Sequence, residues 1–250
     1  MPRFDADYVP RSAMAIYAHP DDIEFTVAGT VAKWSRAGCE VTFLLITSGN
    51  AGTHDRKFTR KTLARVRERE ERGSARILGA ARVVFLGHDD CELVPSLALR
   101  KELVRRIRRY RPEVVLCNDP QALFFGDEYV NHPDHRVAGQ AALDALFPCA
   151  EMDLLWPALG PPHKVHAVYV SSTPAPNTWV DVTETIDAKI AALSAHRSQL
   201  GERDIAPRIL GWGMDAARRA PGRKAAGKRG ARRPKYAEGF RVMRLLREES

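Results

Sequence analysis

Residues 13–24 read AMAIYAHPDDIE, and this stretch decides the fold. Its apolar first half is typical of a strand that is buried on both faces. The run continues directly into one imidazole and two adjacent carboxylates, His19, Asp21 and Asp22. A helical repeat of apolar residues follows over residues 23–37. The stretch therefore predicts the first strand–helix unit of a parallel sheet, with polar chemistry at the end of its strand.

The same unit recurs along the chain. Further apolar strands are predicted over residues 41–47, 82–86 and 113–117, and helical patterns follow them over residues 59–78, 96–109 and 133–147. Later strands are predicted at residues 165–171 and 178–182, with a helix over 183–196. This order predicts an α/β fold, a Rossmann-like three-layer sandwich with a mostly parallel sheet. Ligands of such sheets bind at the carboxyl edge of the strands, where we expect the active site.

Length and charge distribution predict the domain organisation. The 250 residues predict one domain over 1–250, and the Gly-, Pro- and Arg-rich residues 203–236 predict a basic, mobile loop within it. Residues 216–235 carry nine cations and no acid, whereas the remaining chain has 30 Lys and Arg against 31 Asp and Glu. The net charge of +8 therefore belongs to one segment and not to the whole fold.

Composition excludes several classes of protein. Apolar residues make up 44% and charged residues 28%, as in ordinary globular proteins, and no apolar run is long enough to span a bilayer. The first residues lack the basic and apolar regions of a signal peptide. The cysteines are far apart and form no CxxC, so we expect buried free thiols in a cytoplasmic protein; they are Cys39, Cys91, Cys117 and Cys149.

Two polar clusters follow predicted strands and point to a metal site. The first contains His19, Asp21 and Asp22, and the second, residues 131–135, reads NHPDH. No GxGxxG follows the first strand, and the chain contains no P-loop and no GxSxG. A catalytic zinc takes three protein ligands from His, Asp and Glu and leaves a position for water. The alternative for the second cluster is a helix N-cap with proline in the first turn, and both roles can hold together.

Seven motifs in this order resemble the PIG-L/LmbE family of zinc-dependent N-acetylglucosamine deacetylases. The resemblance covers about residues 13–200, and the combination of AHPDD with HPDH is its most specific part. The motifs are AHPDDIEF, TSGNAG, RVREREERGSARILGA, LGHDDCEL, RPEVVLCNDP, NHPDHR and VDVTETIDAKIAALSAHRSQ. The resemblance implies a hydrolase that removes an acetyl or other acyl group from the amine of an N-acetylglucosamine-type conjugate, with zinc as cofactor.

The same resemblance implies the metal ligands and the base. His19, Asp22 and His135 would bind the zinc, and Asp21 would be the general base. The physical case agrees, because two adjacent carboxylates point in different directions and can serve the metal and the water separately. Zinc lowers the pKa of a bound water towards about 7, so that a carboxylate can remove its proton.

Further residues are assigned by the resemblance alone. His132 would stabilise the oxyanion or donate a proton, and Asp134 would orient His132. Arg67 would contact the substrate, and Asp90 would receive sugar hydroxyls. Tyr129 lies near the second motif, where some family members place a tyrosine that polarises the carbonyl.

Two other functions are alternatives to the predicted deacetylase activity. The cationic segment 216–235 is compatible with a nucleic-acid- or polyanion-binding protein built on a Rossmann-like core. A family member that has lost catalysis is the third reading, although every predicted catalytic position holds a competent residue. The resemblance also implies homo-oligomers, trimers or hexamers, whereas the sequence leaves the conjugate, the acyl group and the native metal open.

Overall fold

The structure is a computed structural model, and it describes residues 7–221 and 233–245. Strands alternate with helices through most of this range. The strands are β1 (Ser12–Tyr17), β2 (Glu40–Thr47), β3 (Arg82–His88), β4 (Val114–Asn118), β5 (Phe124–Phe125), β6 (Tyr129–Val130), β7 (Ala167–Ser171), β8 (Thr178–Asp181) and β9 (Ala237–Arg244). The helices are α1 (Asp22–Thr26), α2 (Ala28–Arg36), α3 (Arg60–Leu78), α4 (Leu97–Tyr110), α5 (Pro133–Asp144), α6 (Ile186–Ser194), α7 (Arg197–Leu200) and α8 (Ala206–Arg219).

Seven of the strands form one sheet in the order β3-β2-β1-β4-β7-β9-β8. The five strands from β3 to β7 are parallel, whereas β9 is antiparallel to both of its neighbours. Strands β5 and β6 form a separate antiparallel hairpin, which we call the β5–β6 hairpin. The predicted α/β fold with a mostly parallel sheet is confirmed.

The sheet separates two apolar cores, as the apolar character of its strands predicts. One core packs β1 and β2 against α2, α3 and α6, and Trp34 and Phe43 are among its fully buried side chains. The other packs the opposite face against α4 and α5, with Met14 and Leu103 fully buried. The chain runs from β1 outward to β3 and then returns to β4 on the other side of β1. A crevice opens at such a switch point, beyond the carboxyl ends of β1 and β4.

Local signals account for the helix boundaries. Thr59 forms a capping box with Thr62 at the start of α3, and Gly79 ends that helix at φ 76°, a left-handed conformation that glycine adopts without strain. The single helix predicted over residues 23–37 is instead two helices, α1 and α2. They are separated at Val27, where φ is −124° and ψ is 5°.

The loop predicted over residues 203–236 is partly wrong. Helix α8 occupies Ala206–Arg219 within it, begins with proline in its first turn and buries Ile209, Gly213 and Ala217 on one face. These three residues recur every four positions, a helical period that the many glycines and arginines obscure. Residues 222–232 of the segment lie outside the described residues. Among the described residues, no helix combines the length and apolar character needed to cross a membrane.

Candidate active site

The turn after β1 separates the side chains of two adjacent carboxylates. Asp21 lies in the left-handed region at φ 93° and precedes α1. Across this turn, the N–H of His19 donates to Oδ2 of Asp22 at 2.8 Å, and the N–H of Asp22 donates back to the carbonyl of His19. The turn therefore holds the His19 and Asp22 side chains together and leaves Asp21 to other partners.

The start of α5 supplies two more imidazoles. Pro133 occupies the first turn, and Nδ1 of His132 caps the helix by accepting from the N–H of Asp134 at 3.2 Å. Nδ1 of His135 lies 3.0 Å from Oδ1 of Asn131, and this contact fixes the ring orientation. The helix-cap reading of the NHPDH cluster is therefore confirmed for His132, and the metal-site reading stays a prediction.

The structure brings the three predicted metal ligands together. Asp22 lies between the imidazoles, with Oδ2 3.4 Å from Nδ1 of His19 and Oδ1 3.0 Å from Nε2 of His135. His19 and Asp22 are each 6% exposed. Ring nitrogens of His19, His132 and His135 also lie within 4.8 Å of one another, so His132 lies next to this group.

The donor set and its electrostatics fit a divalent cation. Two imidazoles and a carboxylate are ligands that a catalytic zinc uses. Burial alone would raise the pKa of Asp22, but His135 and His19 hold that pKa well below its usual range. Burial lowers the pKa of His19, yet Asp22, Asp134 and Asp90 together raise that pKa well above its ordinary value. The cluster therefore places several carboxylates around one position and favours positive charge there.

Asp21 has a different partner from Asp22. Its Oδ2 lies 3.3 Å from Nη2 of Arg67. Burial raises the pKa of Asp21 to about 6, against the opposing effect of the guanidinium. A carboxyl group that titrates close to neutral pH suits general base catalysis.

Arg67 is a buried link between two loops and Asp21. Only 3% of the residue is exposed; Nη2 donates to the carbonyl of Pro20 at 2.6 Å, and Nη1 donates to the carbonyl of Gly49 at 2.9 Å. A Cβ atom at Gly49 would lie 2.1 Å from Nη1, so this close approach requires glycine. These donors are already paired inside the protein, and the predicted contact of Arg67 with substrate stays a prediction.

Asp90 and Asp134 both turn their carboxylates towards His19. Oδ1 of Asp90 lies 3.0 Å from Nε2 of His19, and Oδ2 of Asp134 lies 3.3 Å from the same nitrogen. Asp90 also accepts from the N–H of Ala51, and Asp134 from the N–H of Cys91. The backbone N–H of Asp134 contacts His132, whereas its carboxylate faces His19, and the expectation that Asp134 orients His132 stays a prediction. The expected contact of Asp90 with sugar hydroxyls stays a prediction.

His132 presents its second nitrogen to the site. Burial lowers the pKa of His132, and the neighbouring His19 and His135 lower it further. Nδ1 accepts a backbone hydrogen bond, so the neutral ring carries its proton on Nε2. Sγ of Cys91 lies 3.5 Å from that Nε2.

One of the four cysteines departs from the expected core position. Cys39, Cys117 and Cys149 are buried free thiols, as predicted, whereas Cys91 is exposed beside the imidazole cluster. The expected core position fails for Cys91 because this residue lies in a polar turn after β3, directly after Asp90.

A cavity of about 640 Å³ opens beside the predicted ligands. Asp22 and His135 line this cavity, and its walls include Tyr129 of the β5–β6 hairpin with Arg208 and Trp212 of α8. The guanidinium of Arg208 lies 4.5 Å from the centre of the Trp212 ring. The part of the cavity wall formed by α8 was not predicted from the sequence, because residues 203–236 were expected to form a loop.

A buried charged cluster behind Asp21 was also missed. Glu24, Glu71 and His196 are each 0% exposed, and Nε2 of His196 lies 3.6 Å from a carboxylate oxygen of both glutamates. Oε2 of Glu71 accepts from the N–H of Asp21 at 3.2 Å. The position of His196 in the AHRSQ motif was the one sequence signal that could have predicted this cluster. Glu71 gave no such signal, because it lies on α3, where the other charged side chains are mostly exposed.

Comparison with known proteins gives the family. A model of the PIG-L family, described as GlcNAc-PI de-N-acetylase, matches residues 14–146. The chain belongs to the PIG-L family. The match spans β1 to α5 and thus includes both clusters that converge in the crevice.

Individual PIG-L relatives extend the match beyond that region. The chain is 36% identical over 196 residues to a diacetylchitobiose deacetylase of Thermococcus kodakarensis, covering 77% of this chain and 71% of the relative. It is 25% identical over 209 residues to a probable N-acetyl-alpha-D-glucosaminyl L-malate deacetylase 2 of Bacillus anthracis, covering 77% and 83%. The structure of N,N'-diacetylchitobiose deacetylase from Pyrococcus horikoshii superimposes with a TM-score of 0.82 and 28% identity, covering 96% of this chain and 88% of that one.

Proposed function

We propose that the protein is a metal-dependent hydrolase that removes an acetyl group from the amine of an N-acetylglucosamine-type conjugate. The observation that carries the proposal is the meeting of His19, Asp22 and His135 beside the separately held carboxyl of Asp21. Relatives with matching chains are named as deacetylases of amino-sugar conjugates, which supports the same reaction class.

The metal is assigned to His19, Asp22 and His135, and zinc (Zn²⁺) is the ion that this donor set favours. Bound there, zinc would lower the pKa of a coordinated water and polarise the acetyl carbonyl. Asp90 and Asp134 surround His19 and keep its ring in place, as carboxylates next to ligand histidines commonly do.

Asp21 acts as the general base. It takes a proton from the attacking water as the oxygen adds to the carbonyl carbon, and it returns that proton to the amine when the C–N bond breaks. Acetate and a free amino sugar are the products. Arg67 positions Asp21 and keeps its pKa from rising further with burial.

His132 stabilises the oxyanion by hydrogen bonding. Its neutral ring directs Nε2–H towards the site, because Nδ1 accepts from the N–H of Asp134. We assign this role to the neutral ring because burial and two neighbouring imidazoles lower the pKa of His132. Tyr129 lines the adjacent cavity and is placed to contact the sugar conjugate.

The remaining expectations complete the proposal. We place the enzyme in the cytoplasm on the basis of its free cysteines, and we expect a homo-oligomer, a trimer or hexamer, from the family resemblance. A nucleic-acid partner would need the cations of residues 216–235. Arg218 and Arg219 of that set end α8, and the relatives support the deacetylase instead.

The experiment is a substrate panel. N-acetylglucosamine, diacetylchitobiose and N-acetylglucosaminyl conjugates of malate and inositol are incubated with zinc-loaded protein, and free amine and acetate are quantified. The proposal expects equal amounts of both products from at least one conjugate. Absence of amine from the whole panel, with zinc bound, would reject it.

A further inference from the structure

We propose that Glu71 is a positioning residue that directs the Asp21 carboxylate to the attacking water. Glu71 and Arg67 hold the two polar ends of the peptide group that precedes Asp21. The inference rests on the deacetylase function proposed above. It adds to that function a residue that is 0% exposed and does not line the cavity.

Two side chains of α3 bind one peptide group in the turn after β1. Nη2 of Arg67 donates to the carbonyl of Pro20 at 2.6 Å. Oε2 of Glu71 accepts from the N–H of Asp21 at 3.2 Å. This carbonyl and this N–H belong to the same planar peptide group, so the group cannot rotate without breaking one of the two bonds. We call this pair of contacts the peptide clamp.

The peptide clamp holds an unfavourable backbone conformation at Asp21. This residue has φ 93°, in the left-handed region that residues with a side chain rarely adopt. Rotation of the clamped peptide group would change this φ and, with it, the direction of the Asp21 side chain. Backbone of this kind persists only where the surrounding structure holds it. Arg67 and Glu71 therefore fix where the proposed base points.

The position of Glu71 on α3 serves this contact better than it serves the core. Residues four positions apart lie on the same face of a helix, so Arg67 and Glu71 reach the turn from adjacent helical turns. Burial of a carboxyl group costs free energy that an apolar side chain at the same position would avoid. In return, Glu71 supplies an acceptor for the N–H of Asp21.

The Glu71 side chain is itself held from behind. Nε2 of His196 lies 3.6 Å from Oε2 of Glu71 and 3.6 Å from Oε2 of Glu24. All three residues are 0% exposed, which leaves the Glu71 carboxyl little room to move away from Asp21. Burial and the neighbouring Glu24 also raise the pKa of Glu71 well above its ordinary value and so favour its neutral acid. Glutamine therefore copies both its shape and its charge.

The neighbouring carboxylate of Asp22 does not depend on the peptide clamp in the same way. Its oxygen accepts from the N–H of His19, and the N–H of Asp22 donates back to the carbonyl of His19, so these contacts lie within the turn itself. Loss of the Glu71 contact should therefore slow the chemical step and leave the proposed metal ligands in place.

Three substitutions at Glu71 in the zinc-loaded full-length protein test the positioning role. Glu71→Gln keeps an acceptor for the N–H of Asp21, Glu71→Met fills a similar volume without one, and Glu71→Asp keeps the carboxyl on a shorter side chain. We expect Glu71→Gln to keep the wild-type kcat. The other two should lose about 10- to 100-fold in kcat with little change in KM or zinc content. The control Glu70→Met removes hydrogen bonds to Ser198 from the neighbouring position and should keep the wild-type kcat.

Kinetics and thermal unfolding together decide between positioning and a merely structural role. A folded Glu71→Met variant with the wild-type kcat would overturn the positioning role. An equal loss of kcat in Glu71→Gln and Glu71→Met would also overturn it, because the acceptor would then not be the property that matters. If Glu71→Met does not fold, Glu71→Asp decides by the same measurements.

A second background tests whether Glu71 acts through the base. Glu71→Met should lower kcat by a smaller factor in the Asp21→Asn protein than in the wild type, because the side chain to be positioned is no longer a base. An equal factor in both backgrounds would overturn the proposed route through Asp21.

Exchange of the Asp21 amide proton, followed by NMR, measures the peptide clamp without any substrate. This proton should exchange several-fold faster in Glu71→Met than in the wild type and Glu71→Gln, and equal rates in all three would overturn the clamp. If the wild type releases no amine from any conjugate, the deacetylase function is rejected, while the amide exchange still decides whether Glu71 holds the turn.

Discussion

Oδ1 of Asp22 lies 3.0 Å from Nε2 of His135, although one residue follows β1 and the other belongs to α5. The contact joins two clusters that are far apart in sequence and meet where the strand order reverses around β1. Because the other oxygen of Asp22 faces His19, this carboxylate is the centre of the proposed ligand group.

The two adjacent carboxylates should respond differently to the same isosteric change. Asp22→Asn should lose most bound zinc, because it removes the charge between two imidazoles. Asp21→Asn should keep zinc and lose turnover by roughly 10²–10⁴, since it removes only the base. Metal analysis and amine release on both purified variants are the measurements. If Asp21→Asn loses the metal while Asp22→Asn retains it, the two assignments are exchanged.

Replacement of His132 by asparagine separates capping from catalysis. Asparagine is a good N-cap residue and can still accept from the N–H of Asp134, so α5 should remain intact. The variant lacks Nε2–H, and kcat should fall by roughly 10²–10³, the usual cost of losing one oxyanion donor. Thermal unfolding checks the helix and steady-state kinetics check the donor. An unchanged kcat would remove His132 from the mechanism.

Arg67→Lys distinguishes a positioning residue from a substrate contact. Lysine keeps the charge but cannot bond the Pro20 and Gly49 carbonyls and Asp21 in the same planar arrangement. We expect kcat to fall by about 10- to 100-fold with little change in KM, because misplacement of the base affects the chemical step. A rise in KM at constant kcat would instead favour the direct substrate contact implied by the family resemblance.

The sequence predicted the parts of the site that follow strands directly. His19 and Asp22 come directly after a buried apolar strand, so their position at the carboxyl edge followed from the alternation of strands and helices, whereas the NHPDH cluster follows β4 only after the β5–β6 hairpin. The parallel order explained why they should meet. Side-chain direction was not predictable in this way, as Asp134 shows by facing His19 instead of His132.

Long-range partners account for what the sequence reading missed. Glu71 and Glu238 look like ordinary surface charges in sequence, yet both are buried by elements that arrive from distant parts of the chain. Helix α8 was hidden because its apolar face consists of Ile209, a glycine and an alanine among basic residues. Its packing depends on contact with β9, which local propensity does not include.

Lys189 and Glu238 form a buried ion pair in the cavity wall, and each residue should stabilise the fold only when its partner is present. Nζ of Lys189 lies 2.6 Å from Oε1 of Glu238, whose carboxylate also accepts from the N–H groups of Gly29 and Thr30 at the start of α2. Glu238→Ala should cost about 3–5 kcal/mol of unfolding free energy, because it leaves a buried ammonium unpaired. The double variant with Lys189→Ala should be less destabilised than the sum of the single variants. Denaturant unfolding measures both, and simple additivity would contradict the coupling.

Trp212 should influence which conjugate binds. Its ring lines the cavity next to the proposed metal ligands and is covered by Arg208. Trp212→Ala should raise KM for diacetylchitobiose more than for N-acetylglucosamine, since the larger substrate reaches further along the wall. Trp212→Phe is the matched control and should stay closer to wild type. Equal changes in KM for both sugars would place Trp212 outside the specificity pocket.

Titration of the metal-stripped protein with zinc, followed by amine release from an N-acetylglucosamine conjugate, tests the central claim most directly. The account predicts negligible amine release without metal and a rise in proportion to zinc up to one equivalent, and Asp22→Asn should show no such rise. Stripped protein that releases amine as fast as the zinc-restored protein would contradict it.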